Sequence, residues 1–215
     1  MTPLDPEAVL AQFDEGVAQI VRLADQREGR AWHKTVVGDW SANELARHLL
    51  AVCDWYHEWL DRAEAGDSSP PFPAKQLDNR NELAVLDLGA LDGPDAIDTF
   101  AARAIDYRRR LEQLASEGKW DLPYGFANGT TTVGGHAGIA AAEWHLHAWD
   151  FSGGQWRPTS PETLYLAVGQ GMITTQRHWK RAITRHVVAR IAGRDPWADL
   201  VKRSGRVPHE RVTHD

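Results

Sequence analysis

The chain has 215 residues, a net charge of −6 and a single cysteine, Cys53. One domain of that length buries roughly 70% of the surface its unfolded form exposes, so it needs no disulfide, and one cysteine cannot make an internal one. No apolar run approaches a membrane span and no basic segment with an apolar core opens the sequence; the basic clusters, at 108–110 and between His178 and Arg185, are short, so nucleic-acid and membrane partners are disfavoured and a cytoplasmic protein is expected.

Asp5 as N-cap and Pro6 at the first helical position open a helix to about Asp25, with Val9, Leu10, Phe13, Val17, Ile20 and Val21 at helical spacing. Ser41-Ala-Asn-Glu44 is a capping box, and Trp40 before it is placed to staple Leu45. The second helix runs to about Ala65, and its inward stripe reads Leu45, His48, Leu49, Val52, Tyr56 and Trp59, which sets a lone imidazole among core positions. After a turn-rich break at 66–73, a shorter helix is predicted from about Lys75 to Leu88. A long one follows from Asp92-Gly-Pro94 to about Glu117, with Ile97, Phe100, Ala101, Ala104, Ile105, Leu111 and Leu114 inward. Residues 118–134 lose the helical period, and Asn128-Gly129 between two β-prone runs suits a small hairpin or a structured loop.

The fourth core helix spans about 135–152, with glycine and alanine in its first two turns that permit close packing. Thr159-Ser-Pro161 then opens a helical stretch to about Ala192, interrupted or kinked near Gly169 and Gly171. The expected organisation is a single all-α domain over 1–197 and a peripheral polar tail over 198–215.

Glu143 and His147, one helical turn apart, project from the same face of the fourth core helix and can converge on one ion. Ile139, Leu146 and Asp150 share that face, where an uncompensated carboxylate would be costly. The ordinary alternative is a buried Glu–His hydrogen bond, and for His48 a hydrogen-bonded core histidine. Together His48, Glu143 and His147 form a three-ligand set that leaves one coordination position free, as in catalytic zinc sites. The same donors suit nickel, iron or manganese. Asp150 is placed either to orient an imidazole or to end the helix.

Helix angles turn His145 about 200° from His147, His57 about 180° and Cys53 about 140° from His48, so none of these should reach the ion. His136 returns to the His147 face about 16 Å away along the axis and is read as a loop-proximal surface residue, with the lining of a pocket mouth as the alternative. Ten tryptophans are present, and Trp40, Trp55, Trp144 and Trp149 stand near these positions, as core filling or as the wall of a pocket.

Trp40-Ser-Ala-Asn-Glu-Leu-Ala-Arg-His48-Leu, followed nearly a hundred residues later by Glu143-x-x-x-His147-Ala-Trp-Asp150-Phe, resembles the DinB-like metal-binding bundles, especially the branch containing mycothiol-dependent maleylpyruvate isomerase. Gly193-Arg-Asp-Pro196 resembles a C-terminal signature of small members of that branch. The resemblance covers most of residues 5–197. It implies an up-and-down four-helix bundle with an additional C-terminal helical segment, metal ligands at His48, Glu143 and His147, and a cofactor-binding arginine near the pocket at Arg80, for which a solvated arginine at a helix end is the ordinary alternative. The function it implies is a zinc- or other divalent-metal-dependent transferase or isomerase using mycothiol as cosubstrate on a small molecule. A metal-dependent hydrolase and a non-catalytic metal- or ligand-binding stress protein on the same bundle are the alternatives, and homodimerisation is left open.

Overall fold

A computed structural model describes residues 5–127, 129–173 and 195–206. Helices α1 (Pro6–Asp25), α2 (Ala42–Glu64), α4 (Gly93–Ser116) and α5 (Val133–Phe151) form the bundle, with α3 (Leu77–Asp87) outside it. Helices α6 (Pro161–Ile173) and α7 (Pro196–Arg203) follow. The starts of the bundle helices lie where their caps put them. Asp5 and Asp92 accept from the Glu7 and Asp95 amides, and both halves of the Ser41–Glu44 capping box are made. Such caps are each worth about 1 kcal/mol.

Helix α1 lies along α5 and α2 along α4. The core between them is fully buried at Phe13, Ile20, Leu45, Leu49, Phe100, Tyr107, Leu111 and Trp144. Each large apolar side chain there contributes about 1.5–3 kcal/mol, and Leu49→Ala would cost about 2–5 kcal/mol. The α1–α5 contact depends on Gly16, where an added Cβ would stand 2.8 Å from the Trp144 Cβ. Ile105, expected inward, is 50% exposed; Tyr107 takes its place in the core.

Two short antiparallel ribbons join the helices. The first, β1 (Thr35–Val37) with β2 (Trp40–Ser41), leads into the α2 cap and was not anticipated from the sequence. The second, β3 (Pro123–Phe126) with β4 (Gly129–Thr132), is an antiparallel pair with Phe126 opposite Gly129, the hairpin alternative for this segment. It presses so closely on the 66–73 break that a Cβ at Gly125 would come 2.2 Å from the Ser69 carbonyl oxygen. The Thr130 hydroxyl donates to the Ser68 carbonyl at 2.9 Å, fixing the same approach.

The expected helix from Pro161 runs through Gly169 and Gly171 to Ile173 without the interruption expected there; its continuation to Ala192 and the His178–Arg185 cluster lie outside the described residues. Residues 198–206 are not a peripheral tail. Asp195 caps α7, whose Trp197, Leu200 and Val201 are buried, and the Tyr165 hydroxyl of α6 donates to Asp199 at 2.7 Å. The polar composition concealed a short amphipathic helix with three apolar positions on one face. No helix of the described residues is long and apolar enough to cross a membrane.

Candidate metal centre

Helices α2 and α5 run antiparallel, so that His48 of α2 meets His147 of α5 with ring centroids 5.1 Å apart. One ligand atom from each of His48, Glu143 and His147 lies within 4.8 Å of the others. Donors bound at about 2.0–2.2 Å in a tetrahedral shell stand about 3.4 Å apart, so small rotamer adjustments bring this trio onto one ion. His48 and His147 are buried, while 35% of the Glu143 side chain remains exposed, making its carboxylate the face of the cluster open to solvent. Trp40, at the α2 entry, meets His48 at an interplanar angle of 49° with ring centroids 4.8 Å apart.

Hydrogen bonds fix how each imidazole presents itself. His147 Nδ1 is 2.9 Å from Asp150 Oδ2, and Arg206 grips both oxygens of that carboxylate, Nε to Oδ1 at 2.7 Å and Nη2 to Oδ2 at 2.6 Å. An ionised Asp150 only accepts, so Nδ1 carries the proton and Nε2 turns to Glu143 Oε1, 3.2 Å away. Burial works to lower the His147 pKa, but hydrogen bonding to the Asp150 and Glu143 carboxylates raises it above the ordinary histidine value. Burial likewise works to raise the Glu143 pKa, yet His147, Arg206 and His48 hold that carboxyl down at about 2. One positive charge is therefore favoured between Nε2 and Oε1, which a proton or a metal cation can supply.

Burial holds His48 neutral, with its pKa lowered to about 3, and its Nδ1 has no hydrogen-bond partner among the described residues. A neutral buried imidazole beside a His–carboxylate pair is the donor chemistry a divalent cation takes. The residues present fit such an ion.

The other sequence candidates separate clearly. His145 turns towards α1, donating from Nε2 to the Gln12 carbonyl at 2.9 Å and accepting the Trp156 indole N–H at 3.1 Å. His57 lies 2.9 Å from the Arg103 carbonyl, and Cys53 is buried, with its thiol pKa pushed up by desolvation. His136 is not a surface residue: it is 1% exposed, stacked on Tyr124 at 4.1 Å and bonded through Nδ1 to the Tyr107 hydroxyl at 3.1 Å. Its aromatic partners come from α2, α4 and β3, none of which a helical wheel of α5 reveals.

Arg80 is exposed on α3, its guanidinium 4.4 Å from the Phe72 ring centre, and Phe72 meets Trp55 and Trp59 edge-on. Those tryptophans continue the His48 stripe of α2. Trp144, by contrast, is core filling between Phe13, Tyr56 and Phe100.

Arg206 is the site residue that sequence reasoning missed. It lies 56 positions from Asp150 in a segment read as a polar tail. The available signal was the Asp-Pro helix start at 195–196 followed by Trp197, Leu200 and Val201, which docks the segment and delivers the arginine.

The sequence pattern of one family, the mycothiol maleylpyruvate isomerase N-terminal domain, matches residues 23–152, a stretch that includes all three convergent residues. Among solved structures, the crystal structure of the mycothiol-dependent maleylpyruvate isomerase is similar with a TM-score of 0.61 at 17% identity, over 79% of this chain and 71% of that one. A histidine-to-alanine mutant of that isomerase matches with a TM-score of 0.58 at 18% identity, over the same shares of each chain. At such identities the likeness establishes a shared fold. No functionally curated protein gives a significant match.

Proposed function

The chain belongs to the mycothiol maleylpyruvate isomerase N-terminal domain family, and from that premise we propose that it is a metal-dependent cytoplasmic enzyme that uses a low-molecular-weight thiol, mycothiol in the first instance, for a transfer or isomerisation on a small molecule. The observation that carries the reading is the convergence of His48, Glu143 and His147 at a cluster whose only partly exposed member is Glu143.

His48, Glu143 and His147 would hold a divalent ion, zinc foremost, which when bound would supply the Lewis acidity that makes a thiol acidic enough to react near neutral pH. The protein's part is orientation. Asp150 keeps the His147 proton on Nδ1 and the Nε2 lone pair turned inward; burial keeps His48 neutral and able to donate. Trp40 covers His48 and limits water on that side. Arg80, beside the Phe72–Trp55–Trp59 group, is assigned to a carboxylate of the thiol or substrate.

The test is spectroscopic. Adding mycothiol to cobalt-substituted protein should produce a sulfur-to-metal charge-transfer band, which Glu143→Gln weakens and Arg80→Ala leaves in place. A spectrum unchanged by saturating mycothiol in fully metallated protein defeats the thiol reading and leaves a metal-dependent hydrolase or a binding protein on the same bundle.

A further inference from the structure

Arg206 does more than complete a hydrogen-bond network. Its side chain is 13% exposed and Asp150's is 1% exposed, so the pair is a buried, two-pronged ion pair sharing Oδ2 with the His147 imidazole. Without a partner, a carboxylate so placed would add its full negative charge to the cluster. Burial works to lower the Arg206 pKa, but the hydrogen bonds and charge of Asp150 keep it raised. The guanidinium stays charged in any case.

We propose that Arg206 sets the charge balance of the metal centre, so that the ligand entering the open position is an anion in preference to a neutral molecule. The inference rests on the metal-site reading above. Glu143 and Asp150 each bring one negative charge and Arg206 one positive; His48 and His147 bind as neutral imidazoles. Set against a divalent cation, these leave the centre with one net positive charge, which a single anionic ligand cancels. Without Arg206 the same centre is already neutral, and an entering anion gains nothing from charge. A thiolate is such an anion; a neutral amine or alcohol is not. The charge is delivered by the segment that follows α7, so the ligand preference of a site on α2 and α5 is set by how the C-terminal helix docks on α6.

The experiment uses the full chain loaded with cobalt, with azide as the anionic probe and imidazole as the neutral one, both titrated through the visible spectrum at fixed pH and ionic strength. At the effective dielectric of about 20 that suits partly buried sites, loss of one positive charge should weaken azide roughly tenfold in Arg206→Gln. Imidazole should change by less than about twofold, and Arg206→Lys, which keeps the charge, should hold azide close to wild type. Asp150→Asn should tighten azide. The double variant Asp150→Asn with Arg206→Gln restores the net charge and should bring azide back near the wild-type value. A residue that only positions Asp150 predicts the opposite, a double variant no better than Arg206→Gln.

Azide affinity unmoved in Arg206→Gln, or not recovered in the double variant, overturns the proposal. Should Arg206→Gln fail to fold, the tightening expected in Asp150→Asn carries the same test, and unchanged azide affinity there is equally fatal. Failure of the wild-type chain to take up cobalt at all would instead defeat the metal-site reading, so the two failures are told apart by the first spectrum.

Discussion

Helix α5 buries histidines in two opposite settings. At its first turns His136 is enclosed by Tyr56, Trp59, Tyr107, Tyr124 and Phe126, and its Nε2 has no hydrogen-bond partner among the described residues. Near its last turn His147 stands between two carboxylates, facing a second imidazole and an arginine. Desolvation lowers the His136 pKa to about 3, whereas at His147 the carboxylates overcome desolvation and raise it. Both are almost wholly buried. Burial alone makes a neutral core histidine; a ligand also needs its proton fixed on one nitrogen and a negative neighbour that calls for a cation.

The sharpest break of this comparison is metal affinity. His147→Ala should lose well over 100-fold in affinity, beyond the 10- to 100-fold typical of groups that act behind a ligand. His136→Phe should keep affinity near wild type. Chelator competition measures both, and comparable losses would mean that the two histidines do not differ in kind. Asp150→Asn tests the intermediate case. It leaves all three donors but frees the Nδ1 proton from its charged acceptor, and a 10- to 100-fold loss is expected by the same competition assay.

The His136 end has its own signature, in acid. Its folded pKa is lowered to about 3, whereas an unfolded histidine titrates near 6.5. Below pH 6.5 the unfolded chain binds a proton that the folded chain refuses, so the contribution to stability falls as pH drops from about 6.5 towards 3. By pH 5 that is about 2 kcal/mol. Urea unfolding at pH 7 and pH 5, with chelator present throughout, should show His136→Phe losing about 2 kcal/mol less than wild type over this interval. Equal losses would contradict the sealed neutral state. The smallest effect belongs to His57→Ala, which should leave metal affinity within about twofold, since its ring turns to Arg103 and Tyr107 rather than to His48.

What the sequence made legible follows the range of the forces involved. The starts of α1, α2 and α4 were readable because their caps act within a few residues. The convergence of Glu143 with His147 was readable because one helical turn separates them, and His48 because the α2 stripe is regular. His136 was misplaced because Tyr56, Tyr107 and Tyr124 come to it from other elements. Arg206 was missed for the same reason, its partner lying across the fold on α5. Ile105 was misread because the outward edge of α4 is apolar, beside Ala101 and next to α1 rather than beneath it.

We propose that one divalent ion is held by His48, Glu143 and His147 with a position left open. X-ray absorption on the zinc-loaded chain tests it most directly. The account predicts one zinc per chain in a shell of nitrogen and oxygen at about 2.0–2.2 Å, with imidazole outer-shell scattering that diminishes in His48→Ala and a single sulfur appearing at about 2.3 Å once mycothiol is added. A sulfur neighbour before any thiol is present, or an unaltered shell in His48→Ala, would contradict it.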